Sequence, residues 1–100
     1  MNTIITRQDV EYALKNKLSL SDVNLSGLDL SGINFHSVDL SGTNLSGANL
    51  TETDLTGTNF TGANLRDTDF TRATLRRTNF KDANLNGAIF NGVDFDFNLD

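Results

Sequence analysis

His36 is the one histidine in a chain of 100 residues that contains no cysteine. A single imidazole with no thiolate falls short of a zinc ligand set, and the missing cysteines remove disulfides and thiol nucleophiles as well. His36 is expected on the surface. Serine and threonine hydroxyls are plentiful, but a hydroxyl nucleophile needs an oriented base, and the groups available near them are carboxylates. Gly27, Gly32, Gly42, Gly47, Gly57 and Gly62 recur at intervals of five or ten residues. That regularity marks them as turn residues of a repeat and not as a loop that cradles phosphate. No residue is therefore assigned a catalytic, cofactor-binding or metal-ligating role, and the chain is expected not to be an enzyme.

Eight Lys and Arg stand against thirteen Asp and Glu, a net charge of −5 that disfavours nucleic-acid backbones as direct partners. The length suits one domain with one core. No apolar run approaches the roughly 18 residues of a membrane span, and Met1 to Arg7 does not read as a secretory leader, so a cytoplasmic location is expected.

What positions these residues is a repeat. A large apolar residue occupies every fifth position without a gap: Leu20, Leu25, Leu30, Phe35, Leu40, Leu45, Leu50, Leu55, Phe60, Leu65, Phe70, Leu75, Phe80, Leu85, Phe90 and Phe95. Two residues before these centres stand smaller or β-branched residues such as Val23, Val38, Ala48, Thr58, Ala63, Ala73 and Ala83. The residue between is usually Asn or Asp, and Ser, Thr and Gly follow. A period of five gives no stripe on a helix, and in a flat strand it throws successive centres to opposite faces. Three extended residues with the first and third pointing inward, then a two-residue corner, satisfy every centre. The chain must coil, each turn bonded to the next at about 4.8 Å.

Charge selects the number of sides, because like charges stacked one coil apart repel. Three sides put Asp39 over Asp54 over Asp69, Glu52 over Asp67 over Asp82, and Arg66 over Lys81; five sides put Asp29 over Asp54 and Asp69 over Asp94. Four sides leave Glu52 over Arg72 and Arg76 over Asp96, both opposite in sign. The expected fold is an all-β solenoid, a quadrilateral β-helix of about four coils. Arg66, Arg72, Arg76, Arg77 and Lys81 look like a basic patch in the linear chain, but wound on four sides they form a belt.

The units Ala48-Asn49-Leu50, Ala63-Asn64-Leu65 and Ala83-Asn84-Leu85 resemble those of the pentapeptide-repeat family. The resemblance covers residues 18 to 97 and implies a right-handed β-helix. Thr74 and Ile89 depart from the usual middle Asn or Asp, and Leu18, Leu28 and Ile33 exceed the usual small residue.

A solenoid needs caps. At the N-terminal end, residues 1–17 are expected to hold a short helix: Thr6 as N-cap, Ile5 stapled on Val10, Asp9 and Glu11 in the first turns, Lys15 and Lys17 at the far end. Val10, Ala13, Leu14 and Leu18 form its apolar stripe, placed over the first coil. The repeat domain runs over 18–97, with 98–100 a tail. Phe97 and Leu99 fall outside the five-residue register and serve either as a lid on the last coil or as the seam of a homodimer through the C-terminal end.

Three surfaces are weighed. Asn24, Asn44, Asn64 and Asn84 stack on the least charged side, a docking face or simply a ladder that holds coils together. Acids are scattered over all sides, and Thr53, Thr58, Thr68 and Thr78 point inward, so no flat outward threonine array for ice binding forms. The expected function is a non-catalytic scaffold for an unidentified protein partner. The alternative, implied by the family's gyrase-binding members, is a DNA-mimicking modulator of a topoisomerase or another DNA-binding protein.

Overall fold

A computed structural model describes residues 5–95. Its one helix, α1, spans Arg7–Lys15 and begins with a capping box. The Thr6 hydroxyl accepts from the Asp9 backbone N–H at 3.2 Å, while an Asp9 carboxylate oxygen accepts from the Thr6 N–H at 2.9 Å. Val10 and Ala13 are buried, and Ile5 and Leu14 pack against the core. The helix then ends sharply. Leu18 N–H bonds back to the Ala13 carbonyl and Lys17 N–H to that of Leu14, with Lys17 in left-handed backbone at φ 57°. This turn carries Leu18 out of the expected stripe and leaves it 54% exposed.

From Leu20 onward every backbone pairing joins residues twenty apart in parallel: Asn24 with Asn44, Asp29 with Asn49, Asn34 with Asp54, Asp39 with Asn59, and onward to Thr74 with Asp94. A twenty-residue pairing built from five-residue units gives four sides. Among the described residues each pairing is an isolated bridge, because only three extended residues separate one corner from the next. Leu45 illustrates the wiring: its N–H donates to the Asn64 carbonyl at 2.8 Å, and the N–H of Asn64 donates to the Thr43 carbonyl at 2.8 Å.

Each corner is a four-residue turn, closed from Leu20–Val23 through Leu85–Ala88 by a bond such as Ala63 N–H to Phe60 carbonyl, 2.9 Å. The third residue of every such turn has positive φ. All eight glycines of the chain sit there, but so do Asp22, Ser37, Glu52, Asp67, Arg72, Arg77 and Asp82.

Twelve of the sixteen centres, Leu20 to Leu75, are buried. The last four differ from the expected core: Phe80, Leu85 and Phe90 are half-buried, and Phe95 is 39% exposed. Centres in earlier coils are covered from both neighbours, whereas those in the last described coil have a neighbour on one side. Leucine fills the early coils together with Ile33 and Leu28. Later, Phe60 stacks on Phe80 at 5.6 Å and Phe70 on Phe90 at 5.1 Å, while Phe60 and Phe70 meet edge to face at 6.2 Å. The bulk of these rings is offset by Ala and Thr at the smaller inward position, as core volume conservation requires.

Candidate functional site

The middle residue of each unit points outward, and its chemistry is set by the corner beside it. The Asn64 amide oxygen accepts from the backbone N–H of Arg66 at 3.2 Å, and Asn24, Asn44 and Asn84 do the same for Ser26, Ser46 and Asn86 at 3.0, 3.0 and 3.1 Å. Asp29, Asn34, Asp39, Asn49, Asp54, Asn59, Asp69 and Asn79 repeat the bond on the other sides. This Asx turn explains why the position favours Asn and Asp over other polar residues, a reason the repeat pattern alone does not supply. Thr74 and Ile89 lack it.

The expected asparagine ladder takes a different form as a result. Asn24, Asn44, Asn64 and Asn84 do lie in one column, joined through their backbones. Their amide oxygens face their own corners and no hydrogen bond links one of these amides to the next, so the amide nitrogens remain as outward donors.

Inward threonines are satisfied by backbone carbonyls. Thr43 and Thr53 hydroxyls donate to the carbonyls of Leu40 and Leu50 in their own turns, while Thr58, Thr68 and Thr78 donate across coils to Phe35, Leu45 and Leu55 at 2.8 Å. Among the described residues no buried side-chain polar atom lacks a partner, and no cluster of His, Asp and Glu could hold a metal.

Charges pair on the surface. Arg72 reaches Glu52 at 3.7 Å, as the four-sided stacking predicts. Arg76 pairs with Asp94 at 3.3 Å; Asp96, its expected partner, lies outside the described residues, as do Phe97 and Leu99. Arg7 ties α1 to the coils, 3.4 Å from Glu11 and donating to the Asp29 carbonyl at 3.2 Å. Asp29, Asp39 and Asp54 are held below the usual aspartate range. The causes are the side-chain and backbone donors of Ser31, Ser41 and Thr56 respectively, with smaller help from Arg7 at Asp29 and His36 at Asp54.

His36 is exposed, and its Nδ1 lies 3.2 Å from the Ser37 hydroxyl. It also lines a cleft of about 370 Å³ between the end of α1 and the first coil. Ala13, Leu14, Leu18 and Val38 give this cleft its apolar wall, and Lys17, His36 and Ser37 its polar rim. The repeat pattern gives no sign of it, since it arises where the helix stops and the periodic part has not yet begun. The cleft thus sets the Ser37 hydroxyl beside an imidazole, a neighbour the sequence reading passed over, but both residues are exposed and among the described residues no hydrogen bond to the other ring nitrogen orients His36 as a base. Among the described residues no helix is long and apolar enough to cross a membrane.

A family model described as pentapeptide repeats matches residues 19–57 and 53–92, with eight copies. Among solved structures, the chain is similar to alr5209, a pentapeptide repeat protein from Nostoc PCC 7120, at 29% identity and a TM-score of 0.74, over 96% of this chain and 100% of that one. It is also similar to HetL of the same organism, a pentapeptide repeat protein involved in heterocyst differentiation regulation, at 31% identity and a TM-score of 0.43, over 77% of this chain and 38% of that one. A third similarity is to QnrB1, a plasmid-mediated fluoroquinolone resistance protein, at 21% identity and a TM-score of 0.56, over 79% of this chain and 40% of that one. No curated protein matches the chain.

Proposed function

The chain belongs to the pentapeptide-repeat family, and on that premise we propose that it is a non-catalytic scaffold whose rigid sides bind a protein partner in the cytoplasm. The rod is read as a right-handed coil of about four turns. The observation that carries this reading is the column Asn24, Asn44, Asn64 and Asn84, whose backbones are locked in register and whose amide oxygens are committed to the corners. What remains outward is a row of amide donors about 4.8 Å apart, matched to acceptors on a flat protein surface. Five glycines at the flanking corners, Gly27, Gly42, Gly47, Gly62 and Gly87, keep the edges of this side low.

The test exploits the Asx bond. Asn44→Asp with Asn64→Asp keeps the oxygen that caps the corner and replaces the outward donors with acceptors. A partner captured by the parent rod should be lost by the double variant and retained by Asn59→Asp on another side. Equal capture by all three proteins would overturn the assignment of this side. Duplex mimicry ranks second. Its support is the net charge of −5, but Asp29 and Asp69 lie on one side and Asp54 and Asp94 on another, and Arg72 and Arg76 pair with acids. Self-association through the C-terminal end belongs to the same reading, supported by the half-buried Phe80, Leu85 and Phe90.

A further inference from the structure

Two of the chain's asparagines, Asn86 and Asn91, are followed by glycine. Such a pair can react with itself, because glycine has no side chain to shield its backbone nitrogen from the neighbouring amide carbon. We propose that Asn91–Gly92 is a site of spontaneous modification, where the asparagine converts through a cyclic imide to aspartate or isoaspartate, and that the isoaspartate form unseats residues 93–95.

The two pairs occupy equivalent corners, and the hydrogen bonds around them separate one from the other. Attack requires the peptide unit between Asn and Gly to turn, which three kinds of bond resist elsewhere in the rod. The first closes the turn: Ala88 N–H donates to the Leu85 carbonyl at 3.0 Å around Asn86, but Val93 N–H makes no such bond to Phe90 around Asn91. The second holds the first corner residue. Asn86 N–H donates to the Asn84 amide oxygen at 3.1 Å, whereas the aliphatic side chain of Ile89 offers Asn91 no acceptor. The third engages the second corner residue, as when Gly47 N–H donates to the Arg66 carbonyl at 2.8 Å; the N–H groups of Gly87 and Gly92 meet no acceptor among the described residues. The corner at Asn91 is thus the one described corner that lacks all three. Its peptide keeps a tie to the coil beneath, Arg72 N–H to the Asn91 carbonyl at 2.8 Å, but Asn86 has the same tie from Asp67 at 3.0 Å. Asn91 and Gly92 are both exposed, so water reaches them.

The chemistry needs water as its sole co-reactant. The Gly92 backbone nitrogen attacks Asn91 Cγ and gives up its proton to solvent; a C–N bond closes the imide ring, and the side-chain nitrogen takes up a proton and leaves as ammonia. Water then opens the ring. Cleavage at Cγ gives aspartate, while cleavage at the backbone carbonyl gives isoaspartate, whose main chain runs through the side chain and is longer by a carbon. The segment that follows is seated by short contacts: Asp94 N–H to the Ala73 carbonyl at 3.0 Å, Leu75 N–H to the Asp94 carbonyl at 2.8 Å, and the Asp94 carboxylate 3.3 Å from Arg76 Nε. A lengthened corner displaces all of them.

The test ages the purified full chain at mildly alkaline pH and follows Asn86 and Asn91 separately by peptide mapping, with fragmentation that tells isoaspartate from aspartate. Asn91 should convert at least about tenfold faster than Asn86, equivalent to about 1.4 kcal/mol on the barrier and within what two net hydrogen bonds supply. In denaturant the two rates should become equal, because Leu85-Asn86-Gly87-Ala88 and Phe90-Asn91-Gly92-Val93 differ little once unfolded. Ile89→Asn supplies the missing oxygen and should slow Asn91 several-fold, while Ile89→Ala leaves its rate unchanged. Ile89 is exposed, so both variants should fold, which melting curves check. The isoaspartate form, isolated by chromatography, should lose the native amide resonances of Val93, Asp94 and Phe95 and keep those of Leu45 and Leu50. Equal rates in the native chain, a faster Asn86, or a difference that persists in denaturant would overturn the proposal. So would an unslowed Asn91 in Ile89→Asn, a native Asn91 that stays intact while the denatured chain converts, or native resonances at residues 93–95 in the isoaspartate form. Asn24, Asn44, Asn64 and Asn84 are each followed by leucine, so none of these outcomes bears on the proposed docking side.

Discussion

At the scale of single residues, the outward Asn and Asp side chains close the corners, and two natural exceptions make that testable. Ile89 is 41% exposed and leaves the N–H of Asn91 without the bond its counterparts receive. Ile89→Asn should therefore stabilise the rod by about 0.5 to 1 kcal/mol, a rise of several degrees in melting temperature. The corners supply a second pair of tests. Gly62 has φ 68° and open space where a methyl would stand, whereas a methyl at Gly42, φ 67°, would strike the Asp22 carboxylate. Gly62→Ala and Gly42→Ala should each cost about 1 kcal/mol from left-handed backbone, because the exposed Asp22 side chain can swing clear of the new methyl. Acid adds a third. Asp29, Asp39 and Asp54 titrate below the usual aspartate value, so the stability they contribute is present above that value and lost as pH falls through their lowered ones. Melting temperature should hold down to about pH 4 and decline below it, by a small amount because these groups are exposed. Ser31→Ala removes the largest cause at Asp29 and should raise the titration midpoint of its carboxyl, read by carbon NMR.

At the scale of elements, the helix and the coil differ in how plainly residues announce them. Thr6 and Asp9 at three-residue spacing mark the start of α1, and the capping box forms as those types dictate. Thr6→Ala should lower stability by about 1 kcal/mol, measured by thermal melting followed at a helical wavelength. The path of the chain just beyond α1 was not legible, because Leu18 continues the four-residue spacing from Leu14 and nothing in its type says that the chain turns at Lys17. The repeat was legible for the opposite reason: each unit meets nearly the same surroundings, so position alone predicts whether a side chain points inward or out. Backbone register does not fix long side chains, however. The Arg76 guanidinium reaches Asp94, eighteen residues along the chain and so outside Arg76's own twenty-residue column. The cleft escaped for a related reason, being a product of the junction between two elements and of neither alone.

At the scale of the whole molecule, a solenoid holds itself together through contacts between neighbouring coils, so stability should fall toward an end with a single neighbour. Leu65 and Leu85 share one column, which makes them a controlled comparison. Leu65 is fully buried with coils on both sides, and its N–H donates to the Asn84 carbonyl at 2.8 Å. Leu85 is half-buried, and its N–H meets no backbone acceptor among the described residues. Leu65→Asp buries an unpaired carboxylate in the middle of the stack, a loss of several kcal/mol that no adjacent coil can absorb, and should unfold the rod at room temperature. Leu85→Asp lets its carboxylate reach water and should lower the melting temperature while leaving a cooperative transition. Hydrogen exchange should show the same gradient without mutation, with slow amides at Leu45 and Leu50 and fast ones at Phe80, Leu85 and Phe90. Equal loss from the two aspartate variants, or equal protection across the coils, would mean that the last coil is as well covered as the middle. In the second case, protection at Phe80 to Phe90 that appears only at high protein concentration would identify the cover as another copy.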